Sequence, residues 1–457
     1  MKKFSLRPML FGLISIFFII EGCNKVSTSS WYLSQESNVN LVPESVIEKV
    51  AQSFKPNVLF NINSPTNHYP FKSTLNGNNS IKNIIVINDS FNVPAIYVCN
   101  FENNQGFLFV SADSNIRPIL GYCHTGEYKT GLAVPWGFAK WLKKTIYNIE
   151  GVRKGIYADS LQLQFSRAAW SSYFMPYEIG SQLTNNSNNR PEVQAPEPPP
   201  NTAVCGNPPY PAGIIVISQS TSSLGPLLPV TWGQACTFNE LCPNYSCSKY
   251  SYSNGTYDTH ALTGCVATAM SQVIKFWSPS SSAGIYNYAA MPATTGNSYV
   301  QQLMFNAGIS VYMDYGCSAS SAYSSSVAQA LKQNFSFSSA NYESYSDNDV
   351  LTNLGIEEPV LLSGDDVTSG DGHEWVCDGA QLVSQLWCQK GYTETNTGWT
   401  TFHMNWGWHE WFTNSPNNDP DYNGWFAIDN WTTNTPNCGG TTCDFQYADD
   451  MTTEIHP

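Results

Sequence analysis

The stretch ALTGCVATAMSQVIKFW, residues 261–277, contains the cysteine of greatest chemical interest. Apolar residues recur after it at helical spacing and form one stripe. Thr263 is the expected N-cap of this helix, and Pro279 stops it. Cys265 then lies in the first turn, where unpaired backbone N–H groups favour a thiolate and lower the thiol pKa. The pattern predicts a nucleophile, and a small buried core residue is the alternative.

A thiolate nucleophile needs a partner that also protonates the leaving amine, and histidine has a suitable pKa. His373 lies in SGDGHEWVCDGA, where a glycine-rich loop leads into an alternating strand. His403 lies in TTFHMNWGW, where alternation places it with Asn405 on one face of a strand and Trp406 on the other. Taken alone, each histidine is best explained as a hydrogen-bonded structural residue.

The order of these groups along the chain changes that interpretation. A cysteine at a helix start, then His373 at a strand, then Asn405 followed by tryptophan is the order of the catalytic groups in papain-like thiol proteases. In that arrangement the amide of Asn405 holds the imidazole of His373 in the useful tautomer. The indole of Trp406 or Trp408 then shields this hydrogen bond from water.

Gln234, in LGPLLPVTWGQACTF, is the candidate for an oxyanion hole. Its side-chain N–H and the backbone N–H of Cys265 would stabilise the developing negative charge. A surface turn residue is the alternative for this glutamine. The whole interpretation requires that the fold bring the Cys265 sulfur and the His373 imidazole into contact beside an open groove.

Composition narrows the class of protein and of partner. The chain has 457 residues, of which 14% are aromatic and 12% charged, as expected for a globular protein of two or three domains. The formal net charge of −14 repels phosphate backbones and anionic lipid headgroups. We therefore expect no nucleic-acid partner.

The amino terminus resembles an export signal. Lys2, Lys3 and Arg7 precede the apolar run 9–20, which is shorter than the ~20 residues that span a bilayer. The sequence around Cys23 is similar to a lipoprotein cleavage box, so Cys23 is the expected lipid anchor of an envelope or secreted protein. A plain signal peptide that is removed together with Cys23 is the alternative.

An exported chain with 13 cysteines is expected to contain disulfides. The nearest candidates in sequence are Cys236, Cys242 and Cys247, and Cys438 with Cys443. A zinc site in the first group is the weaker interpretation, because its spacing is not that of paired CxxC knuckles.

Two folded regions must position these groups. Residues 81–185 combine short apolar runs, typical of antiparallel strands, with a helical pattern from residue 136 that ends at glycines 151 and 155. Residues 186–212 are rich in Asn and Pro and form a linker exposed to proteolysis. The predicted organisation is a signal segment (1–22), a tether (23–80), a small α+β region (81–185), this linker and a second α+β region (213–457).

Several blocks of the chain resemble, in order, those of the streptopain family of bacterial cysteine proteases. The blocks are GPLLPVTWGQ, TGCVATAMSQVIKFW, MDYG, GHEWVCDG and HMNWGW…NGWFAIDNW, and GFLFVSADSNIRPILGY is similar to the inhibitory propeptide of the family. The resemblance implies a papain-like α+β fold and an endopeptidase made as a zymogen, without metal or organic cofactor. It implies Cys265 as nucleophile, His373 as base, Gln234 as oxyanion donor, and Asn405 and Trp406 as orienting residues.

The chain departs from the family pattern in places that bear on catalysis. Asp371 and Glu374 flank His373, where the family usually has Gly and Ala, and we expect them to raise the imidazole pKa. An insertion at 409–424 follows NWGW and is expected to affect substrate choice. Cys236 and Cys242, near the glutamine, are a candidate local disulfide.

Polypeptides are the expected substrates, and the chain's own propeptide is the expected inhibitor. A catalytically silent, envelope-anchored protein that binds peptides or glycans, or inhibits a protease, is the alternative in another class. Acyl transfer to an amine by the same residues is a third hypothesis.

Overall fold

The computed structural model describes most of the chain from residue 40 onward. Described are residues 40–56, 75–132, 134–156, 214–252, 255–280, 285–365, 372–389, 395–408, 422–428 and 448–457, with isolated positions between 163 and 174. The predicted signal segment, Cys23, most of the tether and the linker lie outside the described residues.

The described chain contains helices and strands in the following order. The helices are α1 (Glu44–Ser53), α2 (Trp136–Arg153), α3 (Cys265–Trp277), α4 (Ser298–Ser310), α5 (Val327–Asn334) and α6 (Asp347–Gly355). The strands are β1 (Ile81–Asn88), β2 (Pro94–Phe101), β3 (Phe107–Ser111), β4 (Ile119–Cys123), β5 (Ile214–Leu224), β6 (Ser339–Ser344), β7 (Val360–Asp365), β8 (Gly372–Gln389), β9 (Thr395–Asn405), β10 (Gly424–Ala427) and β11 (Asp450–His456). The predicted α+β class and the helices after residues 135 and 264 are confirmed.

All of these strands belong to one 11-stranded sheet, in the order β1-β2-β3-β4-β10-β9-β8-β7-β11-β6, with β5 paired to β8. Strand β4 pairs antiparallel with β10, and Gly424 lies opposite Cys123. We call this pair the seam, because it joins the strands before residue 124 to those after residue 213. A Cβ at Gly424 would lie 2.1 Å from the Tyr122 carbonyl oxygen, so the seam requires glycine there.

The two faces of the sheet are covered by different helices. Side chains alternate along β8, so that Trp375 packs in the cluster that contains Phe138 of α2, and Val376 packs with Met270 of α3. We call these the α2 face and the α3 face. Helix α3 is buried continuously from Val266 to Ile274, beyond the apolar stripe that the sequence predicts. Cys265, the candidate nucleophile, thus begins a helix whose following residues are all buried up to Ile274.

The cysteine pairing differs from the prediction. Cys247 pairs with Cys317, 70 residues away, whereas Cys236 and Cys242 are both free and buried. The predicted Cys236–Cys242 disulfide is therefore wrong in this structure, in which only the third cysteine of the cluster, Cys247, forms a disulfide. Cys438 and Cys443 lie outside the described residues.

No helix among the described residues has both the length and the apolar character needed to cross a membrane.

Candidate active site

Helix α3 begins at a backbone position that only glycine adopts readily. Gly264 is the N-cap residue, with φ +86°, so the predicted N-cap Thr263 is wrong. The Thr263 hydroxyl instead shares a hydrogen bond of 2.9 Å with the Thr268 hydroxyl. A Cβ at residue 264 would approach Met313 to 2.7 Å. Glycine therefore permits both the turn into the helix and the close approach of Met313.

The Cys265 sulfur lies against the start of β8. It accepts a hydrogen bond from the backbone N–H of Glu374, and its side chain is only partly exposed. Burial, with a smaller contribution from the charge of the Glu374 carboxylate, raises the pKa of the thiol to about 11. The N–H groups of Cys265 and Val266 act in the opposite direction, as the helix start predicts, but burial outweighs them. The predicted lowering of this pKa is wrong for this form of the chain.

The His373 ring lies on the α2 face. It stacks on Trp375 with ring centroids 6.0 Å apart, and Trp408 presents an edge to it at 6.4 Å. The ring Nε2 lies 2.9 Å from the carbonyl oxygen of Trp406. Among the described residues, Cys265 and His373 share no hydrogen bond. The sulfur and the imidazole thus occupy opposite sides of the strand that brings their backbones together.

Burial also determines the charge of His373. Only 6% of the residue is exposed, and this burial lowers the imidazole pKa to about 4, although the Trp406 carbonyl opposes the change. The expectation that Glu374 raises this pKa is wrong, because the two adjacent side chains point to opposite faces of β8. Asp371 lies outside the described residues. His373 is therefore neutral at physiological pH in this form.

Asn405 does not orient the imidazole as expected. It pairs with Val376 in the register of β8 and β9, which places it on the α3 face, opposite His373. Its side-chain amide donates to the Val230 carbonyl at 2.8 Å, and its Oδ1 accepts from the Gly407 N–H at 3.3 Å. The predicted bond from Asn405 to His373 is wrong in this structure. The carbonyl oxygen of Trp406 takes that place.

Trp406 is fully buried on the α2 face, as the alternation of β9 predicts. Its indole N–H donates to the Tyr422 carbonyl at 2.9 Å, and its ring lies 5.2 Å from that of Trp375. Gly137 of α2 packs directly on this pair, since a Cβ there would lie 2.4 Å from Trp406 and 3.1 Å from Trp375. Helix α2 thus contacts the two tryptophans that surround His373.

Gln234 is buried, not part of a surface turn. Its side-chain N–H donates to the Gly407 carbonyl at 3.4 Å, and its backbone carbonyl accepts from the Thr263 N–H at 3.0 Å. Thr263 lies two residues before Cys265, so the second bond places Gln234 close to the candidate nucleophile. The side-chain amide of Gln234 therefore lies near the start of α3, where it donates its hydrogen bond to the Gly407 carbonyl.

Glu374 is the group that sequence reasoning placed wrongly. It is 2% exposed on the α3 face, and burial raises the pKa of its carboxyl group to about 8, while Ser324 opposes the rise. The alternation of GHEWVC in the sequence predicts that Glu374 and His373 face opposite sides of the strand. That the Glu374 side faces the Cys265 sulfur is known only from the packing of the start of β8 against α3. A neutral acid thus lies beside a neutral thiol.

The described residues contain no cluster of three or more His, Cys, Asp or Glu side chains with the geometry to hold a metal ion. What the arrangement offers is thiol chemistry. A cysteine, a histidine, a glutamine and an asparagine converge around the start of α3 and the segment 405–408, with the cysteine and the histidine not yet paired.

The chain has two regions of similarity to known families. Residues 232–299 and 279–413 match the Peptidase C10 family, and residues 61–149 match the Spi protease inhibitor family. Streptopain of Streptococcus pyogenes is 30% identical over 191 residues, which are 33% of this chain and 44% of streptopain. The thiol protease/hemagglutinin PrtT of Porphyromonas gingivalis is 23% identical over 350 residues, 68% of this chain and 32% of PrtT. The chain thus spans less than half the length of these relatives.

Solved structures of Prevotella intermedia interpain A are also similar. The prointerpain A fragment has a TM-score of 0.47 at 20% identity, covering 82% of this chain and 99% of that one. Active interpain A has a TM-score of 0.34 at 22% identity, covering 51% and 96%.

The observed fold is of the α+β class, and the proteins that the chain matches in sequence include a thiol protease. Residues 232–413 of the chain are thus similar to the Peptidase C10, or streptopain, family, and residues 61–149 are similar to the Spi protease inhibitor family.

Proposed function

We propose that the chain is the latent precursor of an exported cysteine endopeptidase. Cys265 is the nucleophile, His373 the base and acid, Gln234 the oxyanion donor, and Asn405 and Trp406 position the histidine in the processed enzyme. The observation that carries this proposal is the contact of the Cys265 sulfur with the backbone of Glu374. That contact brings the nucleophile to the end of the strand that bears His373.

The reaction follows from these groups once the imidazole reaches the sulfur. His373 takes the thiol proton, and the thiolate attacks the carbonyl carbon of the peptide bond. The oxyanion accepts hydrogen bonds from the backbone N–H of Cys265 and the amide of Gln234. The imidazolium then protonates the leaving amine, and water releases the acyl group from the sulfur. No metal or organic cofactor is part of this proposal.

Latency follows from the contacts on the α2 face. Helix α2 overlaps the match to the protease inhibitor family, and its Gly137 packs on Trp375 and Trp406. Those tryptophans surround His373, whose ring bonds to the Trp406 carbonyl. Cleavage in the linker and departure of α2 would free this face and allow the imidazole to turn toward Cys265. In the same proposal, Cys23 anchors the precursor to the cell envelope through a lipid.

The test compares the purified full chain with its Cys265→Ala variant. We expect the wild type to process itself and to degrade casein, and a thiol-directed epoxide to label Cys265 in the processed form, because this sulfur performs the attack. The Cys265→Ala variant should lose both activities, and Cys236→Ala, which removes another buried free cysteine, should retain them. Mass spectrometry identifies the labelled residue and the cleavage site. Labelling elsewhere, or hydrolysis by Cys265→Ala, would overturn the assignment and favour a binding protein.

A further inference from the structure

Glu374 places a buried carboxyl group beside the proposed nucleophile. Its backbone N–H donates to the Cys265 sulfur, and the residue is 2% exposed. Among the described residues, neither carboxyl oxygen has a hydrogen-bond partner. The Ser324 hydroxyl lies near enough to favour the ionised form, but not in the geometry of a hydrogen bond. A buried carboxyl group without a partner is uncommon in folded proteins and calls for an explanation.

In the precursor the Glu374 carboxyl group lacks a compensating charge. Burial raises its pKa to about 8, so the group is mostly neutral at pH 7. The titratable group that faces it from α3 is Cys265, whose thiol is also neutral and whose thiolate the carboxylate would repel. A thiolate therefore forms beside Glu374 most readily when the carboxyl group stays protonated or when a cation joins it.

The surroundings of this carboxyl group are apolar and close to the surface. Cys265 and Ala322 pack on the apolar cluster of the α3 face, and both are partly exposed. Ser324 is also partly exposed. The carboxyl group thus lies directly beneath residues that water reaches, next to an apolar wall. A long side chain with an apolar stem and a charged end fits such a site.

The position of the carboxyl group restricts which substrate residues can reach it. Successive residues of an extended peptide are about 3.3 Å apart. The residues before the scissile bond stay attached to the Cys265 sulfur as the acyl group after the amine leaves. A lysine or arginine within two residues on this acyl side therefore has the length to bring its charge to Glu374 during both steps of the reaction.

We propose that Glu374 is a specificity residue, which binds a lysine or arginine side chain within two residues on the acyl side of the bond that is cleaved. The inference rests on the proposed function, since it takes Cys265 as the nucleophile. An arginine guanidinium can donate two parallel hydrogen bonds to the two carboxylate oxygens. It would also offset the repulsion between the carboxylate and the thiolate, so that a basic substrate assists formation of the nucleophile.

His373 is the other cation that could satisfy Glu374, once the imidazole turns to the α3 face. In that role the carboxylate would stabilise the imidazolium with every substrate and would not distinguish one substrate from another. The charge of the substrate separates the two roles. Citrulline has nearly the shape of arginine but carries no charge.

The experiment compares peptides that differ only in having arginine, citrulline or leucine at each of the two positions before the scissile bond. The peptides are built on a casein sequence that the enzyme is found to cleave, so a lack of any casein cleavage would refute the proposed function first. The processed enzyme is obtained from the full chain and assayed at pH 8. At one of the two positions, kcat/KM for arginine should exceed that for citrulline by roughly tenfold or more, as a charge-assisted pair requires. Equal values at both positions would overturn the inference and leave the protease activity standing.

Glu374→Gln keeps the shape of the side chain but cannot carry a charge, so the ratio of the arginine value to the citrulline value should fall close to one. Glu357→Gln, which removes an exposed carboxyl group elsewhere, is the matched control and should keep the wild-type ratio. Should Glu374→Gln not fold, Cys265→Ala processed by an added protease reports the same preference as its affinity for the uncleaved peptides. An unchanged ratio in Glu374→Gln would overturn the inference. An equal loss with both peptides would also overturn it and would assign the carboxyl group to His373.

Discussion

The two faces of strand β8 differ sharply at its first residues. On the α3 face, Glu374 meets the Cys265 sulfur in a buried and nearly uncharged environment. On the α2 face, His373 stacks on Trp375 beneath a helix of the propeptide region. The proposed nucleophile thus contacts the residue next to the proposed base, but the sulfur and the imidazole lie on opposite faces of the strand.

This difference accounts for the proposed latency without any displacement of Cys265. A thiol with a pKa of about 11 is almost wholly protonated at neutral pH, and a neutral imidazole on the other face does not activate it. Activation then requires a change at the start of β8, where the side chain of residue 373 must reach the α3 face. The helix that covers the α2 face is the part of the chain whose removal permits this change.

The largest effect is expected from His373→Ala. Peptide hydrolysis by the processed enzyme should fall by about 10³-fold, because the base and acid is lost. The reactivity of Cys265 toward iodoacetamide in the full chain should stay the same, because His373 makes no hydrogen bond to the sulfur there. Activity assays on processed material, obtained where necessary with an added protease, and alkylation of the full chain measure the two effects. A fall in alkylation of the full chain would show that the two groups already interact.

A smaller effect is expected from Gly137→Ala in α2. The added methyl group collides with Trp406 and Trp375, which costs about 1–3 kcal/mol of packing and should speed self-processing roughly tenfold. Alanine favours a helix over glycine by about 1 kcal/mol, so faster processing reports packing against the tryptophans and not helix stability. The rate is measured by gel densitometry against Lys143→Ala, an exposed position of the same helix. Unchanged processing would contradict a role for this contact in latency.

The smallest effect is expected from Glu374→Gln, measured as the free energy of unfolding in urea. The pKa of Glu374 is raised from 4.5 to about 8, so its burial favours folding below pH 4.5, and this contribution is lost as the pH rises to 8. Glutamine has no such loss. The variant should gain up to about 1.4 kcal/mol per pH unit over the wild type in this interval. The exposed Glu357→Gln serves as the control, and a wild type as stable as Glu374→Gln at pH 8 would contradict the burial of this carboxyl group.

Local sequence pattern predicts the helices and strands of the site, but it does not predict how the strands pair. The spacing of apolar residues predicts α3 and the alternation of residues 402–406, because both depend on near neighbours in the sequence. The bond from Asn405 to His373 depends on the register of β9 on β8 and on which face each strand presents, which no local pattern determines. The order of the candidate catalytic residues along the chain therefore indicates which residues to compare, but it does not indicate which way their side chains point.

Contacts between residues distant in sequence overturned two predictions that rested on local pattern. The first turn of a helix lowers the pKa of a cysteine, but enclosure by β8 raises that of Cys265. Cys236 and Cys242 are close in sequence, yet the disulfide joins Cys247 to Cys317. The contact between His124 and His403 had no signal in the sequence, because the two residues lie on segments that meet only at the seam.

The most direct test is the pH dependence of Cys265 alkylation before and after removal of the propeptide, with the modified peptide quantified by mass spectrometry. In the full chain the rate should keep rising through pH 9, with a midpoint near the thiol pKa of about 11. After processing, the midpoint should fall below the ~8.5 of free cysteine, since His373 then stabilises the thiolate. The same low midpoint in both forms would contradict the account, because the sulfur and the imidazole would then already be paired in the precursor.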